Sequence, residues 1–218
     1  MPDSLPPLRS LIASHDIRAV VSDLDGVLRR FDQSLWAELD QELGTEPGTV
    51  FTAILRHPYL DDVVRGRGTH AHWRERASIQ LVDAGADPVA ARAAVDRWAA
   101  TPAVVDRDVL DALATWRGEG IAVFVLTNGT DRVPAELDAL GLGPFLGTDR
   151  RFLLNTADLG AAKPDAEAYS RAHDRIEQEL RQTLAPSQIA FLDDSLRHVR
   201  AAAAFGWNAL HHHVDGSD

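Results

Sequence analysis

Two carboxylates one residue apart, Asp23 and Asp25, close an apolar run and are followed by a glycine in Ala19-Val20-Val21-Ser22-Asp23-Leu24-Asp25-Gly26-Val27-Leu28. One such acid can attack an electrophile or bind a metal while its neighbour moves protons. A second acidic pair, Asp193-Asp194, ends the apolar run Ile189-Ala190-Phe191-Leu192. Adjacent carboxylates repel, so one should hold its proton more tightly unless a cation offsets the pair. Mg²⁺, which takes carboxylate and water oxygens, is the natural partner. Capping the helix that follows would need only one Asp or Ser, which leaves the doubled acid unexplained. A third run, 121–126, ends in Thr127-Asn128-Gly129. A hydroxyl, an amide and approachable backbone N–H groups suit anionic oxygens, although a plain strand-to-helix turn uses the same residue types.

The basic residues add one more candidate. Of 22 Lys and Arg residues, 21 are Arg and the single lysine is Lys163, in Gly160-Ala161-Ala162-Lys163-Pro164-Asp165. Lysine is a compact point charge and arginine a planar fork, so a lone lysine is a candidate for work arginine cannot do. Pro164 is expected to open a helix, with Asp165 and Glu167 in its first turn. A cation just before a helix N-terminus is poorly placed for the helix dipole, and a nearby anion would account for it.

These groups must be held by the elements that carry them. The runs at 18–23, 121–126, 152–154, 189–192 and 208–210 read as buried strands. Helical patterns alternate with them at 106–118, 133–140 and 196–205, which implies βαβ units and a parallel sheet. The expected class is α/β, a Rossmann-like parallel sheet with helices on both faces. A helical block interrupts the rhythm: Leu35, Trp36, Leu39 and Leu43 at helical spacing, a helix over 49–57, one from Thr69 to Ala84 with Thr69 as N-cap, and one after Asp87-Pro88. We divide the chain into a core of 1–33 and 104–218 and a helical cap, 34–103, inserted over the carboxyl edge of the sheet, where active-site groups of such sheets emerge.

Bulk composition narrows the classes. The 218 residues are 45% hydrophobic and 25% charged, as in ordinary globular proteins. A formal net charge of −11 opposes non-specific nucleic-acid binding and recruitment to anionic membranes. The absence of cysteine excludes disulfides, thiolate zinc sites and thiol nucleophiles. Met1-Pro2-Asp3-Ser4-Leu5-Pro6-Pro7 has neither a basic n-region nor an apolar h-region, so the expected location is cytoplasmic.

With Asp23-Leu24-Asp25-Gly26-Val27-Leu28, Leu126-Thr127-Asn128-Gly129, Lys163-Pro164 and Phe191-Leu192-Asp193-Asp194 in this order, the sequence resembles the haloacid dehalogenase superfamily, in its phosphatase-like majority. The continuation Val199-Arg200-Ala201-Ala202 with Phe205-Gly206-Trp207 also looks like that family, and the insertion matches its subgroup with a small helical cap. The resemblance implies that Asp23 attacks phosphorus and forms an aspartyl-phosphate, and that Asp25 protonates the leaving oxygen and then takes a proton from water. It implies Mg²⁺ held by Asp23, Asp194 and the backbone carbonyl of Asp25, with Asp193 acting directly or through a water. Thr127 and the Asn128 backbone would hold phosphoryl oxygens, and Lys163 would offset the charge of Asp23 and of the transferred group. Phosphoryl transfer leaves a protein mainly positioning and charge stabilisation to supply.

The expected activity is Mg²⁺-dependent hydrolysis of a small phosphorylated metabolite. Dehalogenating members lack the acid at the position of Asp25, which disfavours carbon–halogen chemistry here. Phosphonate-cleaving members use a cap lysine, and this cap has none. A phosphosugar mutase would need cap groups that the sequence does not identify. An idle relative serving as a binding or regulatory module is the reading from another class. Within the cap, Arg65-Gly66-Arg67-Gly68-Thr69-His70-Ala71-His72-Trp73-Arg74-Glu75-Arg76 could reach over the active site to the remote part of an anionic or sugar substrate, but a solvated face paired with Asp61, Asp62 and Glu75 is the favoured reading. Arg30 could face substrate or solvent. His211-His212-His213, expected beyond the last strand, is not read as a metal tract, and the five tryptophans are read as packing. Oligomeric state is not legible.

Overall fold

The computed structural model describes residues 4–213. Five strands, β1 (Ala19–Ser22), β4 (Ala122–Thr127), β5 (Leu153–Asn155), β6 (Ile189–Asp193) and β7 (Asn208–His211), form one sheet in the order β5-β4-β1-β6-β7, and every pairing is parallel. β1 lies in the centre. Side chains alternate between the faces of a strand, and both faces are covered. Val20, Val123, Val125, Ala190 and Leu192 pack on one side with Leu5 and Leu8 of α1 (Leu5–Ser14), Val109, Leu113 and Trp116 of α7 (Arg107–Gly118), and Val133 and Leu137 of α8 (Val133–Ala139). Ala19, Val21, Phe124, Leu126 and Phe191 pack on the other with Tyr169, Ala172 and Ile176 of α11 (Ala166–Leu180), Ala202 of α12 (Leu196–Phe205), and Trp207. This two-sided burial explains why the strands read as continuous apolar runs.

A short antiparallel ladder joins β2 (Arg29–Arg30) to β3 (Val104–Val105). Between them stand α2 (Ser34–Leu43), α3 (Thr49–Leu55), α4 (Tyr59–Val64), α5 (His70–Asp83) and α6 (Pro88–Ala100). Their apolar faces make a separate core that includes Leu35, Leu39, Ile54, Val63, Trp73, Ala77, Leu81 and Val95. The caps follow the sequence: the Thr69 side chain accepts from His72 N, and Asp87 accepts from Val89 N and Ala90 N. Asp106 likewise caps α7 by accepting from Val109 N.

Two expectations differ from the structure. Pro164 does not open α11, which begins at Ala166 after a turn in which Asp165 N donates to Ala162 O at 3.0 Å. The last strand reaches His211, so the histidine tract starts inside it. No element is assigned from sequence to the stretch that forms helix α1; Pro6 and Pro7 occupy its first turn, where the missing N–H is harmless.

Candidate active site

The register sets the site. Ser22 pairs with Val125 on one side and Leu192 on the other, so Asp23 and Asp193 leave the sheet level with each other and with Leu126, and Thr127 follows one residue on. Asp23, Thr127 and Asp193 are all buried. Asp23 N donates to Leu192 O at 2.8 Å, and Leu24 N donates to Asp23 Oδ1 at 2.7 Å. Among the described residues Asp23 Oδ2 makes no hydrogen bond, which leaves it as the oxygen able to react.

Lys163 is the central cation. Its side chain is fully enclosed, and Nζ lies 2.9 Å from Asp23 Oδ1 and 2.7 Å from Asp193 Oδ2, and donates to Leu126 O at 3.1 Å. Asn128 holds it there by its side chain: Nδ2 donates to Lys163 O at 2.8 Å and Oδ1 accepts from Lys163 N at 2.9 Å. The Asn128 amide, offered by the sequence as an oxygen holder, is therefore a latch between two loops.

Asp193 is saturated. Besides Lys163, it accepts from Ser195 N at 2.8 Å, and His198 Nδ1 lies 3.1 Å from Oδ1. Burial pushes its pKa up, but the His198 contact and the Lys163 charge outweigh burial and hold it well below the carboxylate range. Asp23 goes the other way. Burial raises its pKa well above the usual value, Lys163 only partly opposes this, and Asp193 adds to it. The two carboxylates share one lysine, and Asp193, with a second partner in His198, takes the larger part. Burial would also lower Lys163, but Asp23 and Asp193 hold it cationic.

Asp194 is exposed at the sheet edge, yet its carboxylate is partly desolvated by its surroundings, which raises its pKa, and Asp193 raises it further. Among the described residues its carboxylate has no ion-pair partner. It lies directly on the turn after the first acid pair: a Cβ on Gly26 would stand 2.0 Å from Asp194 Oδ2. Gly26 also has φ +80°, so glycine is required there twice over. Ligand atoms of Asp23, Asp193 and His198 all lie within 4.8 Å of one another. Lys163 already stands between Asp23 and Asp193, so the carboxylates left for a cation are those of Asp23 and Asp194.

Asp25 projects toward solvent and is gripped by Arg29, whose Nε donates to Oδ1 and whose Nη2 donates to Oδ2 at 3.4 Å. Arg29 Nη1 donates to Glu136 Oε2 of α8 at 2.9 Å. Sequence reasoning passed over Arg29, Glu136 and His198. The four-residue spacing of Asp25 and Arg29 was a usable signal for the first, whereas Glu136 comes from a distant helix.

The helical segment 34–100 touches the site's surroundings. His70 N donates to Asp131 Oδ1 at 2.7 Å, and Arg65 Nη1 donates to Asp165 Oδ2 at 2.7 Å. Gly66 rests on α10 (Thr156–Leu159), where its Cβ would stand 2.2 Å from Ala157 O. His70 stacks on Trp98 at 6.0 Å, and burial lowers its pKa. Arg65 and Arg67 pair with Asp61 and Asp62, and Arg74 with Asp96, so the basic island is mostly a paired face. Arg30 pairs with Asp106. His212 is buried with Nδ1 2.7 Å from Ser4 Oγ, and His211 Nε2 lies 2.7 Å from Asp194 O. Trp73, Trp116 and Trp207 are core residues, while Trp36 and Trp98 pack against each other in the helical segment. Among the described residues no helix is long and apolar enough to cross a membrane.

A sequence model of haloacid dehalogenase-like hydrolases matches residues 17–206. No curated protein sequence matches the chain significantly. Solved structures share the fold. A dehalogenase is 22% identical, covering 93% of this chain and 87% of its own, with a TM-score of 0.67. A HAD family enzyme from Bacteroides thetaiotaomicron, in a magnesium complex, is 18% identical over 94% of this chain and 96% of its own, with a TM-score of 0.65. L-2-haloacid dehalogenase from Xanthobacter autotrophicus, with chloropropionic acid covalently bound, is 20% identical over 89% and 77%, with a TM-score of 0.60.

Proposed function

Because the chain belongs to the haloacid dehalogenase-like hydrolase family, we propose that it hydrolyses the phosphomonoester of a small metabolite in a Mg²⁺-dependent reaction that passes the phosphoryl group through Asp23. The observation that supports this reading most strongly is the charge inventory. Asp23, Asp25, Asp193 and Asp194 converge on one sheet edge, and Lys163 answers only two of them. Arg29 is divided between Asp25 and Glu136. Asp23, which must share Lys163 with Asp193, and Asp194, which has no ion-pair partner among the described residues, both have raised pKa values, caused first by desolvation. The donors are all oxygen, which suits a hard divalent ion such as the Mg²⁺ of the Bacteroides enzyme.

Asp23 and Asp194 would hold the ion, with the Asp25 carbonyl as the resemblance implies, and bound there it would supply positive charge for the transferring phosphoryl oxygens. The protein groups do the rest. Asp23 Oδ2 attacks phosphorus, while Oδ1 is fixed by Leu24 N and Lys163. Lys163 also bears on the charge of the transferred group, and Thr127 and the Asn128 backbone N–H receive its oxygens. Asp193 keeps Lys163 charged and in place. Asp25 takes the proton of the attacking water. Residues 34–103 act as a cap over this edge. A net charge of −11 disfavours nucleic acid and anionic membranes as partners, and a cytoplasmic enzyme fits these features.

The neighbours include dehalogenases, and likeness at this identity shows only the fold. Asp25 favours phosphate, because the dehalogenating pattern lacks that acid. The test is release of phosphate from an aryl phosphate with Mg²⁺ and with chelator, beside halide release from 2-chloropropionate. Phosphate release that chelator stops and Asp23→Asn abolishes supports the reading. Halide release in chelator, without phosphatase activity, refutes it.

A further inference from the structure

His211 and His213 aim ring nitrogens at each other at the edge of the sheet. The tract 211–213 begins inside β7, so strand geometry governs it, and the ladder runs one step further where His212 N donates to Asp193 O at 2.9 Å. Alternate residues of a strand share a face, so His211 and His213 fall on one side and His212 on the other. His212 is buried, with Nδ1 2.7 Å from Ser4 Oγ. His211 and His213 stay accessible to water, and His211 Nδ1 lies 2.6 Å from His213 Nε2 with the two rings at 85°. The other nitrogen of His211, Nε2, lies 2.7 Å from Asp194 O. A carbonyl oxygen can only accept, so Nε2 donates, and Nδ1 is the ring atom presented to His213. Histidines that ligate metals are held in this way, with one ring nitrogen donating to a carbonyl and the other on the ion.

We propose that His211 Nδ1 and His213 Nε2 chelate one borderline divalent cation, such as Ni²⁺, Cu²⁺ or Zn²⁺, at a site separate from the carboxylates that would take Mg²⁺. Imidazole suits those ions, whereas Mg²⁺ prefers oxygen, so the two sites sort cations by ligand type. The geometry needs little change. With metal–nitrogen bonds of about 2.0–2.1 Å, two ligands at a right angle stand about 2.9 Å apart. The two nitrogens are closer than that by a few tenths of an ångström, and His213, which is exposed, can open by that amount. A hydrogen bond between two imidazoles open to water contributes little against the entropy of holding both rings, whereas an ion bound by both nitrogens accounts for their convergence. The formal net charge of −11 favours a cation, and water would complete its coordination. The proposal is independent of the phosphatase reading, because no group assigned to that reaction supplies a ligand.

The test is calorimetric titration of the full chain with Ni²⁺ in excess Mg²⁺ at about pH 8, above the ordinary histidine range. One ion per chain should bind. His211→Ala and His213→Ala should each weaken binding by roughly tenfold or more, since losing even an outer-shell partner of a metal costs about 10–100-fold. The double variant should be little worse than either single one, because one histidine no longer chelates. His15→Ala removes an exposed histidine elsewhere and should change nothing. Paramagnetic resonance of bound Cu²⁺ should show two nitrogen ligands in the native chain and at most one in either variant. The native spectrum decides the matter even if a variant fails to fold. Absence of Ni²⁺ and Cu²⁺ binding, equal affinity in the native chain and both single variants, displacement of the ion by Mg²⁺, or a native Cu²⁺ spectrum with fewer than two nitrogens overturns the site.

Discussion

Lys163→Met removes the cation that two buried carboxylates share and keeps the volume of its stem. At an effective dielectric of about 20, charges at the observed 2.9 Å and 2.7 Å attract by about 6 kcal/mol each. Most of this is cancelled by the cost of taking three ions out of water, so the useful quantity is the cost of stranding the partners, typically about 3–5 kcal/mol for a buried pair that loses one member. We expect a loss of that size in urea unfolding near neutral pH, in chelator so that no metal compensates. The pH dependence is specific. The folded-state pKa of Lys163 is raised, so its contribution is complete below the ordinary lysine range and lost only as pH rises through the folded value. Between about pH 5 and about pH 8 Lys163 itself stays charged in the native protein. In the variant, Asp23 has lost its cation and Asp193 keeps only His198, and the two acids take up protons more readily as pH falls, so the deficit should shrink across that window. A deficit under about 1 kcal/mol, or one that does not change with pH, would refute the view that Lys163 is the main countercharge.

Other outcomes follow from the same geometry. Asp23 and Asp194 have raised folded pKa values, so without metal stability should fall as pH rises from the ordinary carboxylate range through those values, and Mg²⁺ should bind more tightly over the same window; melting curves in chelator and in Mg²⁺ should diverge with pH, and a constant gap would contradict this. Asp194→Asn relieves repulsion from Asp193, so in chelator it should melt no lower than the native protein while losing its Mg²⁺ shift; a retained shift would remove Asp194 from the metal set. Gly26→Ala puts a methyl where the Asp194 carboxylate stands and forces alanine to φ +80°, so calorimetry should show Mg²⁺ affinity weakened roughly ten- to a hundredfold. Arg65→Ala breaks a contact with the half-exposed Asp165 and should cost less than about 1 kcal/mol in unfolding, since such pairs are screened by water.

The parts legible from sequence were those written into short stretches of chain. Apolar runs located all five strands of the parallel sheet because both its faces are covered, and the residues ending those runs converge because parallel strands in register deliver them to one edge. Thr69 and Asp87 cap as their local chemistry dictates. What the sequence withheld depends on contacts between distant segments. Asp193 and Asp194 look equivalent in the chain, yet one faces inward to Lys163 and His198 while the other lies over Gly26. The latch of Asn128 on Lys163 spans 35 residues, and the Arg29–Glu136 pair spans 107. No local pattern encodes either contact.

The central claim is that Asp23 carries the phosphoryl group. The most direct measurement is acid quenching of the enzyme during turnover of a radiolabelled phosphoryl donor with Mg²⁺, followed by peptide mapping. The label should lie on the peptide containing Asp23, survive acid, leave on treatment with hydroxylamine as an acyl phosphate does, and be absent from Asp23→Asn. Continued release of phosphate with no label on Asp23 would contradict the account.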